Sequence, residues 1–379
     1  MKRHYFDWAA TAAADGAEGS GVQTPFGNPS SKHREGRAAR DALENARERC
    51  AGALSVEPDQ LYWTSGGTES NAIVLFSLLK RLAGTRGALL AGAAEHPSVA
   101  ENCAAIAELG ARVRVVNVEP WGAVSAATLE RALEKEPDAA LVSAMLVNNE
   151  TGSIADVGAL AAATRGRAGR KILFHSDMVQ ALGKMPLDLP AWDVDAASFS
   201  AHKIGGPRGV GLLYLKRPLE VLASGGKQER GIRSGTENVA GAVRFADCLE
   251  KRMAASESDE EAARERMMHT IECLRALSRC SIIPQSRGAA DERFSPFILQ
   301  CAFEGLPGEV MARALDDEGF AVSTGSACSS AAKKRPVLEA MGVERQTASN
   351  AIRISQGWST TQNDVDALLS AIGRILSRL

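Results

Sequence analysis

The stretch that decides the fold is Val194-Asp195-Ala196-Ala197-Ser198-Phe199-Ser200-Ala201-His202-Lys203, an apolar run that ends in a lysine. A glycine-rich segment follows it and leads into a second apolar run at 212–215: Gly205-Gly206-Pro207-Arg208-Gly209-Val210-Gly211. Both runs have the length of buried strands, and the glycines permit a tight connection between them. We therefore predict two strands joined by a segment that leaves space beside the amine of Lys203.

The chain before this stretch alternates short apolar runs with longer amphipathic ones. The apolar runs predict strands at 61–63, 88–91, 113–118, 139–147 and 172–174. The amphipathic runs, of which 99–109 and 154–164 are the clearest, predict helices. Strands that alternate with helices are typical of βαβ units, which build a mainly parallel sheet covered on both faces.

The pattern changes after about residue 245. Residues 250–268 are highly charged and contain neither proline nor glycine, which predicts a long solvated helix. Beyond it we predict two strands and two helices, namely strands at 297–303 and 351–355 and helices at 308–318 and 364–376. A length of 379 residues suits two domains. We predict a large domain over 12–247 and a smaller α+β domain over 248–379 that also includes residues 1–11.

The composition excludes several classes of protein. Hydrophobic residues make up 45% and charged residues 24%, which is typical of a soluble globular protein. The net charge of -2 argues against a nucleic-acid or acidic-lipid partner. No apolar run approaches the roughly 20 residues of a membrane span, and residues 1–7 lack the apolar core of a signal peptide. We expect a cytoplasmic protein that binds neither membranes nor nucleic acid.

The seven cysteines are scattered and include no C-x-x-C pair. This argues against a disulfide framework and against a zinc site, and we predict no metal. Cys328 differs from the others because its neighbours, Thr324-Gly325-Ser326-Ala327 and Ser329-Ser330, are small and polar. A buried structural thiol ordinarily has apolar neighbours, so Cys328 is a candidate reactive thiol.

The surroundings of Lys203 indicate a cofactor rather than a surface charge. A lysine amine forms a Schiff base when a protein cavity lowers its pKa. Ser200 and His202 can donate hydrogen bonds to a phosphate, and Asp177 ends a predicted buried strand, where α/β sheets place ligands. Asp177 alone is equally well explained as a turn or capping residue. Together these residues supply the anchor, the Schiff base and the partner of a protonated ring nitrogen that pyridoxal phosphate (PLP) requires.

A second candidate phosphate site precedes a predicted helix, in the stretch Thr64-Ser65-Gly66-Gly67-Thr68-Glu69-Ser70. Its two glycines permit close approach of backbone N–H groups, and a helix N-terminus favours an anion. The alternative is an ordinary capped turn with Thr68 or Ser65 as the N-cap. No lysine follows the glycines at the Walker spacing, so nucleotide binding is a weak alternative.

Residues 194–213 resemble the lysine signature of the class V aminotransferases, and the whole chain resembles the group I cysteine desulfurases. Nine blocks occur in the order of that family: Phe26-Gly27-Asn28-Pro29-Ser30-Ser31; Thr64 to Ser70; Glu95-His96; Val147-Asn148-Asn149-Glu150-Thr151-Gly152; Asp177-Met178-Val179-Gln180; Ser200 to Lys203; Glu229-Arg230-Gly231-Ile232-Arg233-Ser234-Gly235-Thr236; Ser323 to Ser330; and Ala351-Ile352-Arg353-Ile354-Ser355. The resemblance implies the PLP-dependent transferase fold type I, an α/β fold with a mainly parallel seven-stranded sheet and a smaller α+β C-terminal domain.

The resemblance also implies roles for individual residues. Lys203 would carry PLP, Asp177 would pair with the pyridine nitrogen, and His96 would stack on the ring and could move a proton. The remaining cofactor contacts would come from Asn149 and Gln180 at the ring hydroxyl, from Gly67, Thr68, Ser200 and His202 at the phosphate, and from Thr236 of the second subunit of a homodimer. Arg353, with Asn149, would bind the substrate carboxylate. Without the resemblance, we would interpret His96 as a histidine at the start of a helix and Arg353 as a surface arginine on a strand.

Cys328 specifies the reaction that the resemblance implies. In cysteine desulfurases a thiolate attacks the sulfur of the bound L-cysteine and becomes a persulfide, and L-alanine is released. Sulfur would then pass to an acceptor protein for iron–sulfur clusters or thio-cofactors. The nearby Lys333, Lys334 and Arg335 could favour the thiolate. A selenocysteine lyase or C–S β-lyase of the same fold is the alternative, and a PLP-fold protein kept only as a partner or regulator is a third hypothesis.

Overall fold

The computed structural model describes residues 3–14, 24–81, 87–166, 171–325 and 335–378. Within these ranges the strands are β1 His4–Tyr5, β2 Leu61–Thr64, β3 Ala88–Gly92, β4 Arg112–Val116, β5 Ala139–Ser143, β6 Leu173–Asp177, β7 Ala196–Ser200, β8 Gly211–Leu215, β9 Cys280–Ile283, β10 Ile298–Phe303, β11 Phe320–Ala321 and β12 Ala351–Ser355. The α-helices are α1 Arg34–Leu54, α2 Gly67–Arg81, α3 Pro97–Glu108, α4 Ala126–Lys135, α5 Val157–Arg165, α6 Val239–Arg275, α7 Gly308–Asp317, α8 Pro336–Ala340, α9 Arg345–Ser349 and α10 Gln362–Ser377. Short 3-10 helices lie at Pro58–Gln60, Ala201–Lys203 and Gln228–Gly231.

The largest sheet has seven strands in the order β2-β8-β7-β6-β5-β3-β4. Strand β8 is antiparallel to both of its neighbours, and the remaining pairs are parallel. Successive side chains of the strands enter two different cores: Leu61 and Trp63 pack into one, whereas Tyr62 packs into the other. Both faces of the sheet are therefore covered, as a mainly parallel sheet requires. The predicted fold class, including the seven-stranded sheet, is confirmed.

The second sheet is antiparallel, with the order β12-β10-β9. Its core joins β10 and β12 to helices α6, α7 and α10 and includes Phe6 from the N-terminal segment. Strand β1 of that segment pairs with β11. Helix α6 runs through the predicted domain boundary at residue 247, so the limits of the two domains stay a prediction.

The elements differ from the sequence prediction at their ends and in elements that were not predicted, of which the 21-residue helix α1 is the longest. Strand β5 stops at Ser143 rather than at residue 147, although the next residues still bond to β6: Ala144 N–H donates to the His175 carbonyl over 3.1 Å and Leu146 N–H to the Asp177 carbonyl over 3.0 Å. Helix α6 has 37 residues and extends well beyond the predicted 250–268. Strand β9 was not predicted, because four residues carry too little periodicity.

A buried ion pair fixes the 3-10 helix Gln228–Gly231 against the large sheet. Arg47 of α1 binds Glu229 through two bonds of 2.7 Å each, and both side chains are almost fully buried. Glu229 also accepts the N–H of Trp63 over 2.7 Å. Glu229 and the next residue, Arg230, both have positive φ angles, of 45° and 52°. The pair therefore holds a strained backbone in place.

Replacing Glu229 with glutamine should lower the free energy of unfolding by about 3–5 kcal/mol, because it leaves the buried charge of Arg47 without its main counter-ion. Urea unfolding followed by circular dichroism measures the change. The matched control is Glu44→Gln. Glu44 binds the same guanidinium, but its side chain is 47% exposed, so its loss should lower the free energy of unfolding by less than about 1 kcal/mol. Equal losses in the two variants would contradict the assignment.

Among the described helices, none combines the length and the apolar character that crossing a bilayer requires.

Candidate active site

The candidate site lies at the carboxyl ends of β6 and β7. Asp177 is the last residue of β6 and Ser200 the last of β7, and the two strands are parallel with Asp177 opposite Ser198. The 3-10 helix Ala201–Lys203 follows directly, so it sits at the same edge of the sheet. Open α/β sheets bind their ligands at this edge.

Lys203 is held by the N-terminal segment. Its Nζ donates to the carbonyls of Ala9 and Ala10 over 2.5 and 2.8 Å, and the side chain is half-buried. Burial lowers the pKa of Lys203 to about 8, and the positive charge of Arg353 acts in the same direction, against Asp177 and Asp7. Lys203 is therefore not a solvated surface lysine, and its amine becomes neutral at far lower pH than an ordinary one.

Asp177 is buried, and both of its oxygens have partners. Oδ2 accepts from Asn71 Nδ2 over 2.7 Å, and Oδ1 accepts from the N–H of Val179 over 3.0 Å. Asn71 lies on α2 and also donates to Ser98 Oγ over 2.9 Å. These bonds fix the plane of the carboxylate.

His96 is the N-cap of α3, so it does lie at the start of a helix, as one of the two interpretations of this residue predicts. Its Nδ1 accepts from the N–H of Ser98 over 3.1 Å and lies 2.8 Å from Ser98 Oγ. Burial lowers the pKa of His96. The charge of Lys203 lowers this pKa further, whereas the charge of Asp177 raises it. A neutral ring that accepts at Nδ1 carries its hydrogen on Nε2. Capping thus sets the tautomer and leaves Nε2–H for the site.

Three of the predicted phosphate residues, Gly67, Thr68 and Ser200, lie together at the N-terminus of α2. Gly66 has φ = +152°, and a Cβ added to Gly67 would lie 2.6 Å from Val179 Cγ2 and 4.0 Å from Ser200 Cβ. The turn therefore packs directly on the ends of β6 and β7. Thr68 is the second residue of α2 and exposed, so it lies inside the helix and is not its N-cap.

His202 faces the N-terminal segment, where its Nδ1 lies 3.2 Å from Thr11 Oγ1. Its carbonyl accepts the N–H of Ala12 over 2.9 Å. Burial and the neighbouring charges, Lys203 first among them, lower the pKa of His202 to about 4. His202 is therefore neutral at physiological pH, and it ties the segment that holds Lys203 to the end of β7.

Arg353 is buried on β12 rather than exposed on a strand surface. It donates from Nη2 to Asp7 Oδ1 over 2.7 Å and from Nη1 to the carbonyl of Asn149 over 2.8 Å. Among the described residues none accepts from Nε. Arg353, Asn149 and the segment that holds Lys203 are therefore brought together, and the guanidinium retains a donor suited to a carboxylate.

Gln180 belongs to the same group of residues. Its Nε2 donates over 2.8 Å to the carbonyl of Ala9, which also binds Lys203. Thr236 is different: it is exposed, in the segment between the 3-10 helix Gln228–Gly231 and α6. Arg233 of the same segment binds Glu69 in the first turn of α2 over 3.2 Å, which places the segment beside the predicted phosphate site.

Cys328, Lys333 and Lys334 lie outside the described residues. The described residues on either side of them meet at the same place: the Gly325 carbonyl accepts from Arg353 over 3.4 Å, and Arg335 lies 3.7 Å from Glu150. Burial raises the pKa of Glu150, while Arg335 and Arg353 act against it. The segment that contains Cys328 thus begins and ends beside the predicted substrate-binding arginine.

Sequence reasoning missed several of these contacts. Asn71 was not singled out, although it directly precedes the apolar run Ala72-Ile73-Val74-Leu75-Phe76 on α2, which is the available signal. The carbonyls of Ala9 and Ala10 carry no side-chain signal at all. Glu95 was quoted only as a neighbour of His96, yet it is buried, and burial with Asp177 raises its pKa to about 8.

Comparisons with known proteins show the family of the chain. Residues 4–368 match the family described as Aminotransferase class-V. The chain is 35% identical to a cysteine desulfurase IscS of Dictyoglomus turgidum, over 100% of this chain and 96% of that one. It is 37% identical to a cysteine desulfurase of Gluconacetobacter diazotrophicus, over 100% and 94%. A solved structure of a NifS-like protein superposes with a TM-score of 0.88 at 33% identity, over 100% of both chains.

The chain therefore belongs to the class V aminotransferase family and, within it, to the cysteine desulfurases. The resemblance and the type of enzyme predicted from the nine sequence blocks are confirmed.

Proposed function

We propose that this protein is a PLP-dependent enzyme that converts L-cysteine to L-alanine and retains the sulfur as a persulfide on Cys328. The observation that carries the proposal is the position of Lys203, whose low-pKa amine lies at the sheet edge that holds the buried Asp177. The buried Arg353 of β12 binds Asp7 of the N-terminal segment that also holds Lys203. The names of the relatives, cysteine desulfurases at 35% and 37% identity, support the same reaction.

The residues present fit PLP. A buried, hydrogen-bonded carboxylate at Asp177 suits a protonated ring nitrogen, and the half-buried His96 suits the face of the ring. Asn149 and Gln180 would bind the ring hydroxyl, and Lys203 would form the covalent link. The phosphate would be held by Gly67, Thr68, Ser200 and His202, and by Thr236 of the partner subunit. We accordingly propose a homodimer.

PLP, when bound, supplies an acceptor for the electrons released at the substrate Cα. Arg353 would orient the substrate through its carboxylate. Lys203, when its amine is free, would serve as the base at the substrate Cα, and its low pKa suits that task. His96 would hold a proton at Nε2 near the substrate sulfur.

The sulfur step balances without an added oxidant. The Cys328 thiolate attacks the substrate sulfur, the Cβ–S bond breaks with its electron pair remaining on carbon, and a proton completes L-alanine. The new S–S bond leaves Cys328 as a persulfide. Two equivalents of an external thiol, or an acceptor protein, then remove the outer sulfur. We propose a sulfur-acceptor protein as partner and the cytoplasm as location, with iron–sulfur clusters or thio-cofactors as destinations.

The experiment that tests the proposal is incubation of the purified protein with PLP, L-cysteine and a thiol reductant. Sulfide and L-alanine should appear in equal amounts, and prior removal of PLP should abolish both. Release of pyruvate and ammonia in place of alanine would contradict the proposal, because it indicates elimination by a lyase.

The pH dependence of cofactor attachment follows from the pKa of Lys203. Only the neutral amine attacks PLP, so the rate of attachment to the cofactor-free protein should rise with pH about a midpoint near 8. Stopped-flow absorbance measures this rate. Replacing Arg353 with methionine removes a charge that lowers the pKa and should move the midpoint to higher pH. A midpoint near that of free lysine in the native protein would contradict the structure.

A further inference from the structure

Lys184 is a buried lysine that the reaction described above does not use. It lies in the turn after β6 and is 5% exposed. Its Nζ donates to Gln180 Oε1 over 3.1 Å, and Gln180 Nε2 donates to the Ala9 carbonyl over 2.8 Å. The same carbonyl accepts from Lys203 over 2.5 Å. A hydrogen-bonded chain thus connects Lys184 with the proposed cofactor lysine.

The chemistry of this chain allows only one orientation of the Gln180 amide. An ammonium group has donors and no acceptor, so it must face the amide oxygen. A backbone carbonyl has only acceptors, so it must face the NH2 group. Gln180 uses one N–H on Ala9, which leaves its second N–H as the donor for another group. Lys184 and Ala9 together therefore prevent the amide from presenting its oxygen to the site.

We propose that Lys184 is a positioning residue of the cofactor site: it orients the Gln180 amide as a donor to the cofactor's ring hydroxyl and places a positive charge behind that oxygen. This inference rests on the proposed PLP-dependent function. The turn 178–186 and the Ala201–Lys203 helix contain two lysines, Lys184 and Lys203, and neither is exposed. The proposal assigns a role to Lys184.

The charges around Lys184 are consistent with this task. Burial, followed by the positive charges of Lys203 and Arg353, lowers the pKa of Lys184 to about 7. A cavity of about 250 Å³ adjoins Lys184 and Gln180, and the charged residues in its wall are Glu260 and Arg264 of α6 and Glu292. An anionic oxygen on the cofactor would offset the two positive charges and favour the ammonium form of Lys184.

The test is a pH titration of the visible absorbance of PLP bound to Lys203. A positive charge near the ring oxygen favours the deprotonated form of the bound cofactor, so Lys184→Met should raise the titration midpoint by about one pH unit. Lys184→Arg keeps the charge and the donors, and the adjoining cavity offers space for the guanidinium, so its midpoint should stay close to that of the native protein. Lys80→Met, at an exposed position of α2, is the matched control and should not shift it.

A second variant tests the route through the amide. If Lys184 acts in part through Gln180, the shift caused by Lys184→Met should be smaller in a Gln180→Leu background, as a double-mutant cycle reports. Equal midpoints in the native protein and Lys184→Met would overturn the inference. If Lys184→Met does not fold, a Lys184→Arg midpoint shifted by a full unit would overturn it instead.

The outcomes also separate this inference from the proposed function. A native protein that forms no visible band with added PLP would overturn both. A native protein that binds PLP and releases sulfide, but whose midpoint is insensitive to Lys184→Met, would overturn only the role of Lys184.

Discussion

Replacing Cys328 with alanine should reduce sulfide release from L-cysteine by about 10³-fold or more, because the variant has no nucleophile to receive the sulfur. The absorbance of bound PLP should be unchanged, since Lys203 and Asp177 are intact. L-cysteine should still alter that absorbance, because it can still replace Lys203 on the cofactor. Sulfide release and the absorbance spectrum, recorded on the same preparation, separate loss of the nucleophile from loss of the cofactor.

The matched control is Cys273→Ala. Cys273 is a half-buried thiol on α6, in the part of the chain that forms the second core, so its removal should leave sulfide release unchanged. Sulfide release that persists in Cys328→Ala would remove Cys328 from the mechanism and favour the C–S β-lyase or selenocysteine lyase alternative, because elimination does not need a protein thiol.

Replacing Asp177 with asparagine should lower kcat/KM for L-cysteine by about 10²–10⁴-fold. An amide cannot hold a proton on the ring nitrogen as a carboxylate does, so the bound ring withdraws electrons less strongly. Asparagine is nearly isosteric, and its oxygen can still accept one of the bonds from Asn71 and Val179. Steady-state alanine production measures the loss, and far-UV circular dichroism verifies the fold.

Asp156→Asn is the control for Asp177→Asn. Asp156 is exposed and caps α5 through the N–H of Ala159, and asparagine is an equally good N-cap. The control should retain full activity. If the activity of Asp177→Asn is within threefold of that of the native protein, the role of Asp177 is only structural: it holds Asn71 and the backbone at Val179 in place through its hydrogen bonds.

Local sequence patterns were enough to predict most of the architecture. Strand β12 was predicted at 351–355 and observed there, because its short length and the two β-branched isoleucines on either side of Arg353 favour a strand. The alternation of strands and helices along the chain was enough to predict the mainly parallel sheet. The ends of elements were less predictable, as α6 shows, because where an element ends depends on tertiary contacts that the neighbouring residues in the sequence do not reveal.

The candidate site was predictable only where its side chains carry chemistry. Lys203, Asp177 and Arg353 stood out by residue type and by the order of the family blocks. The contacts of Ala9 and Ala10 with Lys203 were not predictable, because backbone carbonyls have no sequence signature and lie more than 190 residues away. Lys184 was missed for a related reason: its burial is a property of the folded turn and not of the local sequence.

The N-terminal segment has a consequence for how the protein matures during synthesis. Asp7 binds Arg353 across 346 residues of chain, and the Ser355 N–H donates to the carbonyl of Phe6. A nascent chain can form the large sheet while the residues beyond it are still being synthesised. The N-terminal segment that holds Lys203 completes its contacts only after β12 has been synthesised. A partly synthesised chain therefore has the cofactor lysine but not its finished surroundings, so PLP should be captured firmly only after almost the whole protein has been translated.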